Sequence, residues 1–215
     1  MLFRSGVEDV RFDNWTMNDV GQGINVTNYY LMEGEVRGGE SPVSKRTPVF
    51  RDIAISNMTI RGARVAADIE GLPEMPISGL RIGNVIAYAK SGLKAYNTAA
   101  LQLVDVEVNA AGGPAFLVRD SKDLRLDNVS SREPLAGAPV IRLDRCPGAV
   151  VRASRAFEGT GTFLSVGLGE LKKLVFEDNM LTSARKPALE TKTNYWRETE
   201  PATEAEPTVP AVRHR

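Results

Sequence analysis

The chain has 215 residues, 42% of them hydrophobic, which allows one or two domains with an apolar core. Lys and Arg total 27 and Asp and Glu total 27, so the formal charge is 0 and there is no general pull toward nucleic acid or an anionic membrane. Cys146 is the only cysteine, which excludes an intrachain disulfide and a cysteine-based metal site, and no apolar run reaches the length of a membrane span.

The opening MLFRSGVEDV holds one Arg and no apolar h-region, so it does not read as a signal peptide. A short phrase then recurs: apolar, any, apolar, any, Asn or Asp. It reads VRFDN (10–14), IAISN (53–57), LRIGN (80–84), LQLVD (101–105), LRLDN (124–128) and LVFED (174–178), with a degraded copy AVVRA at 149–153. The starts are separated by 43, 27, 21, 23, 25 and 25 residues, a spacing that marks stacked repeats. Apolar residues at i and i+2 share one side of a strand, and the Asn or Asp that follows is a turn former that tolerates left-handed backbone. Asn14, Asn57, Asn84 and Asn128, with Asp105 and Asp178 as variants, are expected to stack at one corner as a structural ladder.

A second strand follows 13–17 residues after each phrase. Its inward pairs read Ile24/Val26, Ala67/Ile69, Leu93/Ala95, Phe116/Val118, Ile141/Leu143 and Val166/Leu168. No stretch sustains a helical period. These features predict an all-β chain folded as a parallel β-helix of about seven to eight coils, each burying its apolar side chains against the next. The first step of 43 contains an insertion, LMEGEVRGGESPVSKRTP (31–48), expected as a loop that is either functional or a tolerated surface excursion. The repeat defines one domain over residues 1–191. From about residue 192 the Pro, Glu and Thr-rich end predicts a disordered tail, with Trp196 either capping the last coil or idle.

Three longer runs, VEDVRFDNWTMNDVGQGINVTNYY (7–30), TPVFRDIAISNMTIRGARVAADIEGLPEMPISGLRIGNVIAYAKSGLKAYN (47–97) and GGPAFLVRDSKDLRLDNV (112–129), occur in an order that resembles the C-terminal part of glycoside hydrolase family 28, the polygalacturonase-like enzymes of pectin breakdown. The resemblance covers about residues 7–145. It implies a right-handed parallel β-helix, a galacturonan-type pectic substrate, no cofactor and inverting hydrolysis, in which one carboxyl protonates the leaving oxygen and another activates water. The family's Asn-Thr-Asp, Asp-Asp, Gly-His-Gly and Arg-Ile-Lys motifs are absent from this chain. The place of the Asp-Asp pair holds VGQGINV, GARVAAD, AKSGLKA, AGGPAFL, LAGAPVI and TGTFLSV, none with adjacent carboxylates, and the single histidine is His214 in the tail. No catalytic residue is therefore assigned. The missing N-terminal coils of such an enzyme become an expected partner, and the place of action stays open, since the family generally acts outside the cytoplasm.

By phase, Asn25, Asp68, Lys94, Leu117, Arg142 and Gly167 face outward on the second strands, the sheet that floors the family's substrate cleft. Lys94 and Arg142 could meet galacturonate carboxylates through charge-assisted contacts, and Tyr96 could stack on a sugar face. The alternative is that these are ordinary solvated side chains. Asp68 and Glu70 share a face about 7 Å apart, within the inverting range, although the family places no acids in this coil. Pectate lyases share the architecture but need clustered acids for calcium, and only this acid pair comes near. The competing functional class is a non-catalytic β-helix that binds carbohydrate or acts as a structural spacer.

Overall fold

A computed structural model describes residues 6–29, 42–45 and 47–192. In chain order its strands are β1 (Gly6–Asn18), β2 (Gln22–Thr27), β3 (Val49–Glu70), β4 (Ile77–Ser78), β5 (Arg81–Tyr96), β6 (Thr98–Ala99), β7 (Gln102–Arg119), β8 (Arg125–Ser131), β9 (Pro139–Asp144), β10 (Val150–Arg152), β11 (Arg155–Ala156), β12 (Thr162–Gly167), β13 (Val175–Glu177) and β14 (Lys186–Thr191). One 3-10 turn, Leu171–Lys173, is the sole helical element among the described residues. All the strand pairs are parallel.

The recurring phrase is the unit of stacking. Phe12 lies opposite Ile55, Ile55 opposite Ile82, Ile82 opposite Leu103, Leu103 opposite Leu126, Leu126 opposite Val151, and Val151 opposite Phe176. The result is a parallel β-solenoid of about six turns, fewer than the seven to eight expected. The long first step is a single turn, because Val10 pairs directly with Ile53 and Thr27 with Glu70. The extra residues therefore fall in sequence between β2 and β3. Most of the expected 31–48 loop lies outside the described residues, as do Tyr30 and residues 193–215 with Trp196 and His214.

The core is the apolar column itself. Ile55, Ile82, Leu103, Leu126 and Val151 are buried, as are Phe116, Ile141 and Leu164 from the second strands. Full burial of a side chain of this size stabilises by about 1.5–3 kcal/mol, so each turn depends on the next for its share.

The corners explain the Asn and Asp. Asn14, Asn57, Asn84, Asp105, Asn128, Ala153 and Asp178 all hold φ between 50° and 62°, the left-handed region that Asn and Asp enter most readily after glycine. The ladder is real but interrupted. Asn84 Nδ2 donates to Asn57 Oδ1 at 2.6 Å, and Asn128 Nδ2 donates to Asp105 Oδ1 at 2.7 Å. Asn57 turns aside to Asp13 Oδ1 at 2.7 Å, and Ala153 has no amide to contribute. A second left-handed column, Asp9, Asp52, Gly79, Ala100, Asp123 and Gly148, opens every phrase but the last and is not evident from the phrase alone.

The second strands stack with the expected phase in every coil but one. Ile141 pairs with Leu164 and Leu143 with Val166, so the inward pair of that coil is Leu164/Val166 and the outward residue is Ser165, in place of Val166/Leu168 and Gly167. Leu168 is 54% exposed. The apolar alternation runs on past the end of β12, but Gly169, at φ 72°, turns the chain away before Leu168 can point inward.

Candidate functional site

The second strands begin at glycines that let neighbouring turns approach. A Cβ placed on Gly92 would sit 2.3 Å from the Ala115 carbonyl oxygen, so no side chain fits there. These starting positions, at Gly21–Gln22, Ser91–Gly92, Gly113–Pro114 and Gly161, carry no carboxylate pair.

Beyond them the strands align two outward columns. The first runs Asn25, Asp68, Lys94, Leu117, Arg142 and Ser165; the second runs Thr27, Glu70, Tyr96, Arg119 and Asp144. Lys94 and Tyr96 are half-buried on this face. The Arg119 guanidinium carbon lies over the Tyr96 ring, 5.4 Å from its centroid, a cation–π contact. The structure thus brings Lys94, Tyr96 and Arg142 onto one face and adds Arg119, which the outward-residue pattern passed over because only one residue per strand was read as outward.

Arg142 is not a solvated surface arm. Its side chain is 2% exposed, its Nη2 lies 2.5 Å from Asp144 Oδ1, and its Nη1 donates to Ser165 Oγ at 2.8 Å and to Thr191 Oγ1. Asp144 also faces Arg119, with 3.6 Å between Oδ2 and Nη2. An ion pair removed from water this far must keep its partners, because either charge left alone is costly. Much of the guanidinium is thereby committed within the protein. Of the acid pair, Asp68 accepts a 3.3 Å bond from Gln22 Nε2, and Glu70 lies beside Thr27 and Tyr96 in the register.

A recess of about 360 Å³ follows the Asn corner, between Ile86, Glu107, Arg132, Arg155 and Phe157. Arg132 Nε lies 2.7 Å from Glu107 Oε2, and the Phe157 ring is flanked by the guanidinium carbons of Arg132 and Arg155 at 5.1 and 5.0 Å. Glu107, Arg132 and Phe157 come from successive turns, so their meeting is visible only once the coils are in register. Among the described residues no group of three or more His, Cys, Asp or Glu is placed to hold a metal ion, and no helix is long and apolar enough to cross a membrane. Cys146 is buried, and burial pushes its thiol up to about 12, which leaves it protonated and unreactive at neutral pH.

Comparison of the chain with models of protein families, with curated proteins and with solved structures finds no match.

Proposed function

We propose that this chain is the C-terminal β-helix portion of a polygalacturonase-like glycoside hydrolase. Its substrate is then a galacturonan-type pectic polysaccharide, and the chain is inactive in hydrolysis by itself. The observation that carries the reading is the coincidence of the resembling runs with the solenoid register. TPVFRDIAISNMTI enters β3, the EGLPEMPISGLRIGNV junction carries β3 over into β5, and GPAFLV forms the second-strand part of β7. Lys94, Tyr96 and Arg119 offer charge and an aromatic ring to an anionic sugar chain on the outward face. Inverting hydrolysis needs an acid and a base across the sugar ring, and the second-strand starts supply neither.

The experiment is incubation of the chain with polygalacturonate. Weak saturable binding without release of reducing ends supports the proposal. Release of reducing ends would point to acids elsewhere, Asp68 and Glu70 first. A specific observation favours the second reading, a structural β-helix: the deeply buried Arg142–Asp144 pair works as an internal staple. Absence of any binding would turn the assignment that way.

A further inference from the structure

The first turn of the solenoid is open on one side. Among the described residues β1 and β2 pair only with β3, so their outer backbone edge has no strand beside it. The side chains tell the same story. Phe12 is 40% exposed, while Ile55, Ile82, Leu103, Leu126 and Val151 in its column are buried. Trp15 is 53% exposed, while Met58, Val85, Val106 and Val129 in its column are buried. Phe12 and Trp15 meet edge to face with centroids 6.3 Å apart, and with Met17, Ile24 and Val26 they line an apolar recess of about 180 Å³. Exposed apolar surface beside an unpaired strand edge calls for cover.

The polarity of the corner indicates which cover fits. Side-chain amides in this column donate toward the preceding turn: Asn57 to Asp13, Asn84 to Asn57, Asn128 to Asp105. Asn14 holds the same left-handed corner at φ 62°, and its side-chain amide makes no hydrogen bond among the described residues. An occupant that continues the stack must run parallel and present an acceptor at its own corner. The far end of a second copy does not match. Continued in register, it would set Glu177 against Asp13 and put Glu190 in the inward column next to Val26. Glu190 is already turned to the chain itself, accepting the Leu171 amide at 3.0 Å.

We propose that the β1–β2 edge is a docking surface for one further parallel β-coil that carries an Asn or Asp oxygen at its corner to accept from Asn14. This deepens the reading above by naming the partner of the open end. It rests on that reading for its biological setting only, and its test contains no sugar, so the two can fail separately.

The probe is a capped peptide of residues 101–119, whose Asp105 already accepts from an Asn in this protein. The full chain carries Trp196→Phe, which leaves Trp15 as its only indole. Docking covers Trp15, and its emission should move to shorter wavelength and saturate with peptide. Asn14→Gly keeps the left-handed corner and removes the donor, and should weaken docking about fivefold, the worth of one hydrogen bond. Circular dichroism checks that this variant folds; if it does not, Asp105→Ala in the peptide removes the acceptor and reads the same bond. No shift, an equal response to a scrambled peptide, or affinity indifferent to both changes overturns the proposal. A shift that follows protein concentration without peptide overturns it in favour of a second copy.

Discussion

Ala153 is the corner residue that fits its position worst, and Ala153→Asn should stabilise the protein. The backbone there stands at φ 51°, where a residue with a Cβ and no local side-chain bond is strained by about 1–2 kcal/mol, a cost that Asn largely escapes. The new amide would also stand in the column where Asn128 already donates to Asp105, with the Asn128 side-chain oxygen one turn before it. An exposed bond of that kind adds about 0.5 kcal/mol, at the low end for hydrogen bonds. The sum is about 1.5–2.5 kcal/mol, or roughly 3–10 °C in Tm for a domain of this size. Ala153→Gly separates the two contributions. It relieves the backbone but gives back about 0.5–1 kcal/mol through the freer unfolded chain, so it should fall about 1 kcal/mol below the Asn substitution. Urea denaturation with an unchanged slope reads both. A midpoint for Ala153→Asn equal to or below that of the parent would refute the left-handed corner at 153, and with it the continuity of the column.

Three further outcomes follow from the same structure. Arg142→Ala should cost about 3–5 kcal/mol in denaturant titrations, because it leaves Asp144 buried without its closest cation; a loss below about 1 kcal/mol would return Arg142 to the solvated surface. Asp127 lies between Arg152, its dominant partner, and Arg125, and both hold its carboxyl below the ordinary 3.8. Its stabilisation is therefore complete above about pH 5 and is lost as pH falls through the lowered folded value; Asp127→Asn should be less stable than the parent at pH 7 by about 1 kcal/mol, and the gap should narrow progressively as pH falls below the ordinary carboxylate value. Cys146 should resist a thiol reagent at pH 8 in the native protein and react at once in denaturant, and rapid native reaction would contradict its burial.

The fold was legible because the solenoid repeats a local rule: inward residues at i and i+2, then a corner that Asn or Asp can occupy. VRFDN and its copies state that rule in five residues, and the register places them against each other. At Leu168 the alternation outruns the strand, since a period of two carries no signal for where a strand stops. The candidate face was legible only as a direction. IRLD identifies Arg142 as outward but is silent on its depth, which is set by Asp144 on its own strand and by Ser165 and Thr191 from two later turns. The Phe157 recess was illegible for the same reason, since Glu107, Arg132 and Phe157 come from successive turns.

The proposal to be tested first is that these coils come from a pectin-acting hydrolase and lack its acid pair. Titrating the full chain with polygalacturonate in a calorimeter, while assaying reducing ends in the same samples, tests it most directly. Saturable heat is expected, weak at about millimolar Kd per binding segment of the polymer, with no new reducing ends. Reducing ends above the buffer rate would contradict the missing acid pair, and the absence of any binding heat would contradict the pectic assignment.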